Sequence, residues 1–167
     1  MAKKQEKTLE DLFEDGLKDV YFAEKKILQA LKKMAKAAES EESVKAFENH
    51  YAETETQIGR LEQVFELLEQ KPTGKKCPAI LGIIEEGEEI MTDYKGSPAL
   101  DAGLLAAAQA VEHYEIARYG TLKAWAKELG MKAAVRLLDQ TLTEEIKTDK
   151  LLTTMAEGQA NQRAEAA

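Results

Sequence analysis

Apolar side chains recur every three to four positions along most of the chain, the spacing of one helical face rather than the alternation of a strand. Five helices follow from that spacing and from the residues that interrupt it. Thr8 is a candidate N-cap, with Asp11 three residues on, and the first helix runs from there to about Ala38. The polar break "AESEES" offers serine caps for a second helix from about Ser40 to Gln70, which stops at "KPTG". A shorter third helix starts near Pro78, suited to a first helical turn, and ends before "DYKGSP". Ser97 caps a fourth, with Pro98 at its first position and Gly130 closing it. The fifth runs from about Met131 to Glu157 and ends at Gly158. The remaining "QANQRAEAA" has no apolar face and reads as a mobile tail.

The first, second, fourth and fifth helices each span roughly 40 Å at about 1.5 Å per residue. Long helices joined by short turns pair into antiparallel hairpins, and the third helix lies inside the connection between them. One crossover linking two hairpins is the ferritin-like topology. The expected fold is all-α: a single ferritin-like four-helix bundle over residues 1–167, with a shorter helix in the crossover connection.

Carboxylates break the apolar faces. In the first helix Phe13, Leu17, Val20, Ile27, Leu28, Leu31 and Ala35 define a stripe, and Glu24 lies near its centre. Leu104, Ala108, Val111, Tyr119 and Leu122 define that of the fourth, with Glu115 near the centre and Glu112 one turn earlier beside it. In the fifth, Val135, Leu138, Leu142, Leu152 and Ala156 are interrupted by Glu145 and Asp149, and Glu144 lies at the edge. The second is milder, with Glu53 at the stripe's edge between His50 and Gln57. Shifting the chain by 91 residues aligns the two hairpins without a gap, Glu24 on Glu115 and Glu53 on Glu144. Heptad-like patterning accounts for the apolar matches but not for acids on core faces.

Several ionised carboxylates at one level of a bundle repel one another and lose hydration. Two arrangements relieve this: a multivalent cation, or a hydrogen-bonded network with water or protonated acids. Oxygen-rich ligands with one or two histidines suit iron or manganese. Carboxylate-bridged diiron bundles use two Glu-x-x-His pairs. Here Thr56 follows Glu53 by three, Lys147 follows Glu144, and Thr148 follows Glu145. His50, three residues before Glu53, reverses the motif and joins the candidate ligands; His113 reads as solvent-facing or hydrogen-bonded. Whether Glu144 or Glu145 is the ligand stays open.

Composition narrows the function classes. With 23 basic and 31 acidic residues the formal charge is −8, which argues against a nucleic-acid partner. The single Cys77 rules out an intrachain disulfide and reads as an inert residue at the start of the third helix. No run approaches a membrane span, and the basic start "MAKKQEKTLEDLF" has no apolar h-region behind it, so a cytoplasmic protein is expected. Tyr21, Tyr51, Tyr114 and Tyr119 read as core residues with satisfied hydroxyls.

The segments "HYAETETQIGRLEQVF", "AAAQAVEHYEIARYGTLKAWAKELG" and "LLDQTLTEEIKTDKLL" resemble the YciE/YciF family of bacterial stress-associated proteins. The likeness extends from about Thr8 to Met155, and "EHYEIARYG" is its most specific part. It implies a ferritin-like bundle related to rubrerythrins, a homodimer, and a metal site between the long helices. Carried over residue by residue, that site comprises Glu24, Glu53, Glu112, Glu115, Glu144, Glu145 and Asp149. The function expected is divalent-metal binding, with iron in a diiron or related centre, or manganese, and with oxidase or peroxidase activity. The alternative is a non-catalytic structural or interaction dimer that has lost redox chemistry.

Overall fold

The computed structural model describes residues 6–166, and every described element is helical. The basic start at 1–5 lies outside the described residues. Helix α1 spans Leu9–Ala37. Its capping box is complete: Asp11 N donates to Thr8 Oγ1 at 3.2 Å, and Thr8 N donates to the Asp11 carboxylate at 2.8 Å. Helix α2 spans Glu41–Leu67 behind the Ser40 cap. Its regular part stops three residues before the expected Gln70. There Gln70 N reaches Phe65 O and Glu69 N reaches Glu66 O, the Schellman pattern, with Glu69 at φ 55°.

Helix α3 spans Pro78–Asp93, with Pro78 in its first turn. Helix α4 spans Leu100–Glu128, beginning two residues later than Pro98. Leu100 N first closes onto Ser97 O, an i+3 bond, and the i+4 ladder starts only with Gly103 N on Ala99 O. Gly130, at φ 72°, ends α4 in a second Schellman turn.

Helix α5 spans Lys132–Met155 and does not end at Gly158. A π-helical segment, Ala156–Ala160, carries the chain into the short α6, Asn161–Glu165. The segment read as a mobile tail is thus helical as far as Glu165, and Ala160 is buried in the core. Gly158 is not among the residues with positive φ, so it supplies no left-handed stop.

Helix α1 packs on α2 and α4 packs on α5; the two hairpins meet through α1 against α4 and α2 against α5. Helix α3 covers α4 and α1. The turn between α1 and α2 is pinned to the first turn of α4, where Asp101 accepts from the backbone N–H of Glu39 and Ser40, both at 2.9 Å. Against α3 the approach is tighter: a Cβ on Gly103 would stand 2.7 Å from Ile90 Cγ2. Because Ile90 is β-branched and stiff, Gly103→Ala is expected to cost roughly 1–3 kcal/mol, read as a lowered denaturant midpoint at unchanged slope.

The apolar core falls into two clusters. One joins Ile27, Leu31 and Met34 of α1 to Phe47, Leu104, Leu105, Ala108 and Leu152. The other joins Phe13, Leu17 and Val20 to Leu61, Val64, Phe65, Tyr119, Leu122 and Leu138. Between them, all four long helices turn polar residues inward: Glu24 from α1, His50, Thr54 and Gln57 from α2, Glu112 and Glu115 from α4, and Thr141, Glu145 and Thr148 from α5. The polar layer is a property of the bundle at one height.

Candidate metal centre

Each inward carboxylate follows from helical spacing. Glu112 and Glu115 are one turn apart on α4, so both face the same way. On α2, His50, Thr54 and Gln57 continue the stripe that Phe47 begins and Leu61 resumes. On α5, Thr141, Glu145 and Thr148 do the same between Leu138 and Leu152.

Ligand atoms from His50, Glu112, Glu115 and Glu145 all lie within 4.8 Å of one another, and all four residues are buried. His50 Nδ1 stands 3.2 Å from a Glu112 oxygen and Nε2 stands 3.6 Å from a Glu145 oxygen. Neither contact has hydrogen-bond geometry, because His50 Nε2, both oxygens of Glu112, both of Glu115 and Glu145 Oε2 have no hydrogen-bond partner in the protein. Glu24 is the fourth buried carboxylate of the layer; Tyr119 donates its hydroxyl to Oε1, and Oε2 is unpartnered. Gln57 donates to Glu145.

Electrostatics follow from this crowding. Burial first, and the charge of Glu145 second, push the Glu24 carboxyl up to about 8, against the downward pull of the Tyr119 hydrogen bond and of the neighbouring Glu115 carboxyl. Glu112 is pushed up to about 11, by burial, by the neighbouring Glu145 carboxyl, and by the charges of Glu24 and Asp149. Burial, then the charges of Glu145, Glu24 and Glu112, hold Glu115 well above the ordinary carboxyl range. Tyr119 is likewise raised well above its ordinary value, by burial and then by Glu24 and Glu115.

The remaining expected ligands sit outside this group. Glu144 turns to α2, where the Arg60 guanidinium grips both its oxygens at 2.6 and 2.7 Å. Burial raises its pKa, but hydrogen bonds from Arg60 and Gln57 and the Arg60 charge outweigh that, and the net shift is downward. Of the two neighbours on α5, Glu145 is therefore the inward one. Glu53 is half-buried and outside the four-residue group. Asp149 lies at the α4–α5 seam, 3.0 Å from His113 Nε2 and 3.2 Å from Gln109 Nε2.

Arg60 escaped the sequence reading, and Tyr119 and Cys77 have partners it did not name. Arg60 is the cation that neutralises Glu144, whereas Arg118, three residues after Glu115 on α4, lies over the Tyr114 ring at 5.2 Å. Tyr119 is a core residue with a satisfied hydroxyl, as expected, and the partner of that hydroxyl is Glu24. Cys77 is buried, with Sγ 3.3 Å from the Tyr114 hydroxyl, which also donates to Asp19 at 3.0 Å. The i, i+4 pairing of His50 with Thr54 was the available signal for α2, since three polar residues at stripe spacing continue a face that apolar residues bracket.

The chain is 46% identical over 160 residues to protein YciF of Escherichia coli K12, covering 95% of this chain and 96% of that protein. The crystal structure of the E. coli stress protein YciF matches with a TM-score of 0.89 at 45% identity, over 93% of this chain and 99% of that one. YcfI of Rhodopseudomonas palustris, described as a candidate structural protein, matches with a TM-score of 0.84 at 46% identity, over 92% and 98% of the two chains. Among the described residues no helix is long and apolar enough to cross a membrane. The family profile described as domain of unknown function DUF892 matches residues 8–165, and with that span covered the chain belongs to the DUF892 family.

Proposed function

We propose that this protein binds a divalent transition metal, iron or manganese, at the buried His50–Glu112–Glu115–Glu145 group of a ferritin-like bundle. The observation that carries the reading is the set of unpartnered carboxylate oxygens converging with a histidine nitrogen at one height of the core. Burying like charges without counter-ions is costly, and a cation relieves that cost where a surrounding network does not. Four buried carboxylates, Glu24 included, would balance two divalent cations, which favours a dinuclear centre. Two hairpins joined through a crossover that carries α3 support the ferritin-like arrangement.

Bound iron would supply one-electron redox and Lewis-acid chemistry there. The chain's own part is to release protons from Glu112 and Glu115 on binding, to offer the His50 imidazole, and to hold Glu24 through the Tyr119 hydroxyl. Apolar layers above and below exclude water. Oxidase or peroxidase activity, a homodimer and a cytoplasmic location belong to this reading. Excess Fe(II) or Mn(II) is expected to raise Tm, because a ligand bound only by the folded state adds about 2.7 kcal/mol at a hundred times its Kd. No shift with any divalent metal up to the millimolar range would remove the metal site.

A second reading has its own observation. Raised carboxyl pKa values let Glu112 and Glu115 stay protonated, and Gln57 and Tyr119 already donate into the layer. Such a network needs no metal and would suit a non-catalytic structural bundle. Metal analysis of protein purified without chelators separates the two.

A further inference from the structure

Resting on the metal-site reading, we infer that His113 and Asp149 form an outer receiving site for divalent cations, and that the α4–α5 seam is their route to the buried group. His113 is the chain neighbour of Glu112, yet its side chain is 70% exposed. Its Nε2 meets Asp149 Oδ1 at 3.0 Å, and the Asp149 side chain is 23% exposed. Asp149 stands one turn beyond Glu145 on α5, so the two carboxylates share a face. Gln109 bridges Asp149 and Thr153, at 3.2 and 2.8 Å, extending a strip of oxygen and nitrogen donors along the same seam.

From outside inward, a cation would thus meet an exposed imidazole, a partly shielded carboxylate, and then two fully buried ones. Glu112, at the inner end, has both oxygens unpartnered. Asp149 is one helical turn from Glu145, so a cation arriving at Asp149 sits within the field of the inner group.

The α2–α5 seam lacks these features at the same height. Arg60 and Glu144 clamp it with two short charged hydrogen bonds, and Gln57 Nε2 occupies the step between Glu144 and Glu145. A guanidinium at the mouth repels a dication, and its partner carboxylate is already taken. Among the described residues the other ion pair between α4 and α5 is Lys123 with Asp139, ten residues back along α5 and away from the proposed route.

Stopped-flow uptake of cobalt(II), read by its visible absorption, with equilibrium stoichiometry on the same samples, tests the route. His113→Ala and Asp149→Asn are expected to slow uptake about fivefold or more at low salt, within the range by which local charge changes association rates. Stoichiometry should stay at the wild-type value. Asp139→Asn removes the same charge elsewhere on α5 and should leave the rate within about twofold, the modest effect of a distant screened charge.

Unchanged rates in both seam variants overturn the inference, as does faster uptake in Arg60→Ala or slower uptake in Glu53→Gln without an effect at His113 and Asp149. Loss of equilibrium binding in Asp149→Asn also overturns it, making Asp149 a resident ligand. No cobalt bound by the wild-type protein would instead sink the metal-site reading itself, a different result from a normal stoichiometry with unchanged rates.

Discussion

Metal-free protein carrying Glu115→Gln is expected to be more stable than wild type at pH 7, by about 1–3 kcal/mol. Glu115 is 1% exposed, and burial and three neighbouring carboxylates hold its pKa well above the ordinary 4.5. Folding at neutral pH therefore requires either protonating it or burying its charge. Protonation alone costs about 1.4 kcal/mol for each pH unit above the unfolded pKa, which bounds the gain at about 3.5 kcal/mol at pH 7. Glutamine keeps the shape and removes the titration. Glu24→Gln should act in the same direction, and its amide oxygen still accepts from the Tyr119 hydroxyl. Metal affinity should move the other way, falling at least tenfold in Glu115→Gln, about 1.4 kcal/mol, because a charged ligand is lost.

The opposite sign would appear if these acids were ionised partners of a buried cation, since stranding that cation costs about 3 kcal/mol or more. Among the described residues no lysine or arginine pairs with Glu115 or Glu24; Arg60 serves Glu144, and Arg118 is exposed over Tyr114. Denaturant melts of the chelator-treated proteins decide the matter. Clear destabilisation in both variants would replace the metal site with a structural charge network.

Raising the pH should weaken the metal-free protein and leave the metal-bound one level. A carboxyl whose folded pKa is raised binds more protons in the folded than in the unfolded chain. Its contribution is fully present below the unfolded value and is lost as pH climbs to the folded one. For Glu24 the window runs from the ordinary 4.5 to about 8, and Glu112 extends it towards 11. Each such group contributes a slope of up to about −1.4 kcal/mol per pH unit inside its window. Glu144, with its lowered pKa, acts with the opposite sign but only as pH falls below the ordinary carboxylate range.

Metal binding displaces protons, so affinity rises with pH by about as much as metal-free stability falls, and the metal-bound protein stays level over the same interval. Melting curves with and without Mn(II) should therefore diverge between pH 5 and about 8, and Glu24→Gln should flatten the metal-free branch. Metal-free stability that stays level or rises across that interval would contradict protonated core acids.

The sequence by itself determined the helices, their pairing into hairpins and the presence of acids on core faces. Apolar residues at helical spacing have one way to be buried together, and caps such as Thr8 and Ser40 act within a few residues of themselves. Glu24 and Glu115 were legible for that reason, since a carboxylate in mid-stripe points inward whatever the partner helix is. Edge positions were not. Glu144 and Glu145 differ by about 100° around α5, and only the placement of Arg60 on α2 turned the first outward. His50 and Gln57 acquired their meaning from Glu112 and Glu145, which are more than 60 residues away along the chain. The tail looked unstructured because its own residues carry no stripe, yet a π-helical segment without a left-handed glycine keeps it helical and buries Ala160. Which height of the bundle becomes polar on all four helices depends on the register of the hairpins. That register is settled by the two apolar clusters closing on either side, a collective packing requirement that no single segment contains.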